Sequence, residues 1–147
     1  FILEALTKVL IIYSVLKLTK KVEYALMAVR HLQNRKNAIQ LCSSNEIANS
    51  YNIPKPLLAK ILQQLAKRKI IKAVKGPNGG YKMARDTTKV NMTEFFEIIE
   101  GPVGLVDCFT NSGCSLIDCC SIQDPIGKIN SSIKLLFDKM TLAEVTY

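Results

Sequence analysis

The stretch from Ser43 to Ala84 constrains this chain more than any other, because it carries two helix signals and a hairpin signal in immediate succession. Ser43-Ser44-Asn45-Glu46 reads as a capping box, in which Ser43 caps a helix and Glu46 reaches back to it. That helix is short, with Ile47, Ala48 and Tyr51 on one side and an end near Asn52. The next starts in Ile53-Pro54-Lys55-Pro56, where proline suits a first turn that has no use for its N–H groups. Its apolar stripe is Leu57, Leu58, Ile61, Leu62 and Leu65, and its other face shows Lys55, Ala59, Lys60, Gln63, Gln64 and Lys67. Two tightly joined helices, the second with a polar and basic outer face, have the sequence form of a helix-turn-helix. The β-prone runs from Ile70 to Lys75 and from Tyr81 to Ala84 then flank Gly76-Pro77-Asn78-Gly79-Gly80, which predicts a hairpin. A basic hairpin directly after a helix-turn-helix is a wing. Its glycines permit positive φ and close approach of the backbone to a phosphate, while Lys72, Lys75, Lys82 and Arg85 supply charge. A nucleotide-binding loop is excluded, since the sequence holds neither G-x-G-x-x-G nor a Walker Gly-Lys-Ser/Thr and the glycines lead into a strand.

Helices flank this unit on both sides. Thr19 is placed as the N-cap of a first helix that carries Val22, Ala25, Leu26, Val29 and Leu32 and runs to about Gln33, followed by a polar connection over Asn34 to Gln40. Another is predicted from about Met92 to Ile99, with Thr93 near its start and Gly101-Pro102 ending it. From Ile122 the apolar residues Ile122, Ile126, Ile129, Ile133, Leu136, Met140 and Ala143 alternate spacings of four and three, a heptad-like seam on one helix of about twenty residues. A seam this narrow suits a partner helix, so the 122–143 helix is expected to form a homodimer. The fold class expected is mainly α with a small β wing: a winged helix-turn-helix DNA-binding domain over 17–89, then a cysteine loop and dimerisation helix over 90–147. Residues 1–16 are set apart as an N-terminal extension that carries no part of the functional reading.

Charge agrees with that division. Residues 1–89 hold 17 Lys and Arg against four Asp and Glu, a balance of +13, and residues 90–147 hold three against eight, a balance of −5. The basic half suits a polyanion, with double-stranded promoter DNA the leading partner. No apolar run is long enough to cross a membrane, and the basic stretches lack the opposing apolar face of a membrane-surface helix. On the DNA side, Gln63 and Gln64 are placed at base edges, Lys55, Lys60, Lys67 and Lys75 at phosphates, and the Asn78-Gly79 tip in a minor groove.

Cysteine use is equally uneven, with Cys42 alone and Cys108, Cys114, Cys119 and Cys120 in one short segment. A secreted disulfide protein spreads its cysteines and carries a signal peptide. The apolar start from Phe1 to Leu16 lacks a basic leading region and an Ala-x-Ala-like site, so a cytoplasmic chain with reduced thiols is expected. Structural zinc prefers paired cysteines two to four residues apart, often with histidine, and the one histidine, His31, lies well inside the first helix. Thiols with longer spacers suit an iron–sulphur cluster, 2Fe–2S or 4Fe–4S, through Cys108, Cys114 and either Cys119 or Cys120, with a fourth ligand from elsewhere. A reading from another class is a redox or electron-transfer iron–sulphur protein, against which stand the missing Cys-x-x-Cys and the +13 half.

From about Lys17 to Val145 the chain resembles the Rrf-two family of winged-helix transcription regulators. The resemblance lies in Leu18-Thr19-Lys20 leading to Tyr24-Ala25-Leu26, the helix ending at Leu65, Gly76-Pro77-Asn78-Gly79-Gly80-Tyr81, Glu100-Gly101-Pro102, the three-cysteine loop and Met140-Thr141-Leu142-Ala143-Glu144. It implies a dimer whose third helices and wings, Tyr81 included, bind a near-palindromic promoter site. It also implies a regulator rather than an enzyme, and a cluster on cysteines with five residues between neighbours, which selects Cys108, Cys114 and Cys120 and leaves Cys119 without a role. One branch of the family places a histidine three residues after its last cysteine, where this chain has Gln123. Related sensors use a carboxylate near the start of the first helix, donated across the dimer, and the matching residue is Glu23; Asp107, Asp118, Asp124 or a small thiol compete. The wording of Ser121-Ile122-Gln123-Asp124-Pro125 resembles regulators of cluster-assembly genes, with a nitric-oxide or thiol redox-sensing repressor as the runner-up.

Overall fold

A computed structural model describes residues 17–35, 41–110 and 114–147; the extension 1–16, the connection 36–40 and residues 111–113 of the cysteine segment lie outside the described residues. Thr19, in extended conformation, accepts a hydrogen bond from the Val22 N–H and starts α1 (Lys20–Asn34). Val22, Ala25, Ala28, Val29 and Leu32 recur at helical spacing and are buried, so α1 forms one wall of the core.

Ser43 caps α2 (Ser44–Tyr51) by accepting from the Glu46 N–H at 3.1 Å. Glu46 does not complete the expected capping box, because its carboxylate pairs with Arg35 at 2.7 Å. A charged partner within reach outcompetes the return bond to the cap. Asn52, left-handed at φ 53°, closes α2 and turns the chain into α3 (Lys55–Lys67), whose Leu58, Ile61, Leu62 and Leu65 are fully buried.

After Lys69, also left-handed at φ 59°, β1 (Ile71–Val74) pairs antiparallel with β2 (Gly80–Met83). Ile71 faces Met83, Lys72 faces Lys82, Ala73 faces Tyr81 and Val74 faces Gly80. A two-stranded ribbon is marginal alone, and this one is anchored by the Cys42 and Tyr81 backbones, which exchange two hydrogen bonds of 3.1 and 2.8 Å. The glycines act differently from the expectation. Only Gly76 among those of the wing has positive φ. A Cβ at Gly79 would overlap the Val74 carbonyl oxygen, and one at Gly80 would stand 2.6 Å from the Cys42 carbonyl oxygen. Close approach is therefore demanded within the hairpin at Gly79 and against the Cys42 backbone at Gly80.

Arg85 is likewise not a free wing charge. Its guanidinium forks onto Glu94 at 2.6 and 3.1 Å and donates to the Lys89 carbonyl, tying the wing's exit, through a single 3-10 turn (Thr87–Lys89), to the helix that follows. Asn91 caps α4 (Met92–Glu100), which buries Met92, Phe95, Phe96, Ile98 and Ile99 and ends at Gly101. The cysteine segment is more ordered than a plain loop, since it contains α5 (Asp107–Thr110) and a 3-10 turn (Ile117–Cys119).

The expected 122–143 helix is divided. α6 (Gln123–Lys139) stops where Met140 turns extended, and α7 (Leu142–Thr146) restarts under a capping box of Thr141 and Glu144. The break has a backbone cause. Met92 N–H donates to the Met140 carbonyl and Leu142 N–H donates to the Val90 carbonyl at 2.7 Å, pulling the chain out of the helix and onto the strand-like entry to α4. Ala143 therefore leaves the seam, and Leu142 is fully buried in the core shared with α1 and α4. None of the described helices is long and apolar enough to cross a membrane.

Candidate nucleic-acid interface and cysteine segment

α3 buries Leu58, Ile61, Leu62 and Leu65 against α1, α2 and α4, which fixes the opposite face outward. Lys55, Lys60, Gln63 and Lys67 are exposed there. Gln64 is set back: it is half-buried, and its amide donates to the Ile99 carbonyl at 3.5 Å. The side chains of Lys60, Gln63, Gln64 and Lys67 line a shallow depression together with Lys21. Lys21 is the residue that sequence reasoning missed. Its ammonium donates to the Ile99 carbonyl at the C-terminal end of α4, where a cation complements the helix dipole. The partner is 78 positions away, so only the lysine pair at 20–21 hints at it.

The wing adds Lys72, Lys75, Lys82 and Asn78, all exposed, with Tyr81 half-buried at the Cys42 bridge. Lys72 and Lys82 are direct cross-strand partners. Like charges in that register destabilise an isolated hairpin, and they are favourable only where an anion lies over them.

In the cysteine segment all thiols are free; Cys108, Cys114 and Cys120 are half-buried and Cys119 is exposed. The segment leans on α6. Leu105 N–H donates to Asn130 Oδ1 at 3.0 Å, and the Phe109 ring lies over Gly127, where a Cβ would come to 3.4 Å. The three spaced thiols are not gathered to single-ion distance of one another: among the described residues the only such group of three is His31, Cys42 and Glu46. A cluster is larger than one ion, and three free, partly solvated thiols are a suitable donor set for it. Glu23 is half-buried with its carboxylate 2.5 Å from Lys20 Nζ, and this hydrogen bond holds the Lys20 ammonium above its usual range. Asp118 and Asp124 are exposed. Burial pushes the Cys42 thiol up, with the Glu46 charge adding to it.

Downstream, Phe96 stacks edge-to-face on Phe137 at 4.8 Å and holds one side of α6 against α4. Ile122, Ile129 and Leu136, seven residues apart, stay 60%, 50% and 56% exposed on the other side.

A helix-turn-helix with a basic, amide-bearing outer helix, followed by a lysine-paired wing, defines a winged-helix DNA-binding regulator. The family profile described as Rrf2, iron-dependent transcriptional regulator, matches residues 18–147. The chain belongs to this family, and it is a transcriptional regulator, not an enzyme. It is similar to the HTH-type transcriptional regulator NsrR of Bacillus licheniformis, 29% identical over 132 residues that span 88% of this chain and 92% of that protein. Among solved structures it is similar to T. potens IscR, at 25% identity and a TM-score of 0.66 over 87% of this chain and 84% of that one. CymR, the global cysteine regulator of B. subtilis, shares the fold at 20% identity, with a TM-score of 0.67 over 89% of this chain and 96% of that one.

Proposed function

We propose that this regulator acts as a homodimer whose grip on promoter DNA responds to an iron–sulphur cluster held by Cys108, Cys114 and Cys120, with the partner subunit's Glu23 as fourth ligand. Its targets in this reading are genes of cluster assembly. The observation that carries the proposal is the placing of three free, half-buried thiols, with five residues between neighbours, on a segment packed onto α6 directly before its exposed apolar stripe. When bound, the cluster supplies a soft iron centre whose oxidation or loss changes the charge of that segment. The chain's own residues do the rest. Phe109 on Gly127 and Leu105 on Asn130 connect the segment to the helix that sets the two DNA-reading heads. The hard Glu23 oxygen makes a weaker corner than a fourth thiolate would, which suits a sensor. The exposed Cys119 beside Cys120 favours, as a second reading, a nitric-oxide or thiol response of the same segment.

The test is anaerobic reconstitution with absorption spectra and iron and sulphide counts on wild type, Cys114→Ser and Glu23→Ala, followed by promoter binding with and without the cluster at fixed salt. Wild type is expected to be coloured with matching iron and sulphide, Cys114→Ser colourless, and Glu23→Ala quicker to lose iron. A wild-type protein that takes up neither iron nor sulphide overturns the cluster, and equal DNA binding in both states overturns the sensing.

A further inference from the structure

Away from the cysteine segment, three side chains of different chemistry converge where α1, the Cys42 bridge to the wing and α2 meet. The ligating atoms of His31, Cys42 and Glu46 all lie within 4.8 Å of one another. His31 Nε2 is buried without a hydrogen-bond partner and stands 3.6 Å from Glu46 Oε1. Two ligands on one tetrahedral zinc-class ion are separated by about 3.4 Å, and a sulphur and a nitrogen by about 3.6 Å, from ordinary bond lengths. The imidazole–carboxylate distance therefore already fits, and closing the thiol needs a shift on the order of 1 Å.

The surrounding residues also do what outer partners of a metal site do. The other imidazole nitrogen, Nδ1, has the Tyr51 hydroxyl as hydrogen-bond partner at 3.2 Å, which orients the ring and leaves Nε2 facing the thiol and the carboxylate. Arg35 holds the same Glu46 Oε1 at 2.7 Å, which fixes the carboxylate beside the ring, and a carboxylate oxygen has lone pairs for both a guanidinium and an ion. An unpartnered buried ring nitrogen is costly unless something fills the place.

We propose that His31 Nε2, Cys42 Sγ and the Glu46 carboxylate bind a mononuclear divalent cation of the zinc class, with a water in the fourth position. On binding, the Cys42 thiol gives its proton to solvent and the thiolate, imidazole and carboxylate bond to the ion; nothing is oxidised or reduced. Mixed sulphur, nitrogen and oxygen donors select zinc or cobalt over magnesium or calcium. Because Cys42 shares backbone hydrogen bonds with Tyr81 of β2, the ion would join both helices to the base of the wing. The site is independent of the cluster and stands or falls without it.

Cobalt(II) serves as the probe, in the full chain with Cys108, Cys114, Cys119 and Cys120 changed to Ser, so that Cys42 is the one remaining thiol. One cobalt per chain is expected, with a near-ultraviolet sulphur-to-cobalt charge-transfer band and visible bands of tetrahedral intensity, both erased by one equivalent of zinc. Cys42→Ala should abolish the charge-transfer band. As Cys42 is a core residue, His31→Gln and Glu46→Gln are measured beside it, checked for unchanged circular dichroism, and each should weaken binding at least about tenfold. No sulphur-to-cobalt band, or a band whose affinity neither of these two variants changes, overturns the site.

Discussion

Gln63 and Lys67 stand one helical turn apart on the exposed face of α3 and, in the proposed interface, would do different work at a duplex. A glutamine amide discriminates a base edge, at about 1–3 kcal/mol for a good bidentate pair, whereas a lysine neutralises a phosphate whatever the sequence. Gln63→Ala should therefore relax preference at one base pair, while Lys67→Ala should weaken specific and scrambled duplexes alike and lower the salt slope by about one. Titrations of both duplexes over a salt series check this, and a Lys67→Ala protein with unchanged slope would remove that residue from the interface. Glu144 gives a pH-dependent prediction. Hydrogen bonds from the Thr141 backbone and then its hydroxyl hold this carboxyl below its ordinary value of 4.5. The stabilisation is complete above that value and is lost as pH falls through the lowered one, so α7 should fray in acid. The protection of the Leu142–Thr146 amides, taken relative to the intrinsic exchange rate at each pH, should fall below about pH 4.5 in wild type and be low at every pH in Glu144→Gln. Single residues were legible where their partner is near in sequence, as at Thr19 and Ser43, whose caps reach three positions on. Gln64 and Arg85 were not, because Ile99 and Glu94 lie 35 and nine positions away on another element.

Among the elements, the wing is where stability and binding oppose one another most openly. Lys72 and Lys82 face each other across the ladder, and Lys72→Glu would replace repulsion by an opposite-charge pair. That change should raise stability by roughly 0.2–1 kcal/mol while weakening DNA and flattening its salt dependence. Denaturation midpoints and binding isotherms measured on one preparation decide it; a variant that loses stability and keeps its affinity would contradict the wing's role. Helix-turn-helix and hairpin could be read from sequence because local signals of capping, proline and glycine placement and periodicity all agreed there. The C-terminal helix was misjudged because heptad counting registers side chains and not backbone partners. Its spacing runs unbroken to Ala143, yet the Met140 and Leu142 main chains are claimed by Met92 and Val90. Thr141-Leu142-Ala143-Glu144 did carry the restart in plain form, a threonine followed three residues on by a glutamate.

For the whole molecule, the decisive question is what covers α6. One side is held by Phe96 on Phe137, and the other leaves Ile122, Ile129 and Leu136 in solvent at heptad spacing. An apolar stripe of that kind on a winged-helix regulator fits a second copy of the same helix, since a two-fold dimer presents two reading heads to two half-sites. Joining the heads makes the second contact intramolecular, and on that account avidity exceeds a single head by on the order of 10²–10⁴. Ile129→Glu places a carboxylate in the middle of the stripe, where pairing would bury two like charges, and in the isolated subunit Ile129 is half exposed and outside the hydrophobic core cluster. Sedimentation should then show a monomer with wild-type circular dichroism. Affinity for a palindromic site should fall by about two orders of magnitude or more, and affinity for one half-site should stay near wild type. A variant that remains dimeric and binds the palindrome as before would move the dimer contact off α6. It would also break the proposed connection from Phe109 through Gly127 to the DNA heads, because that connection works only if α6 is the element both subunits share.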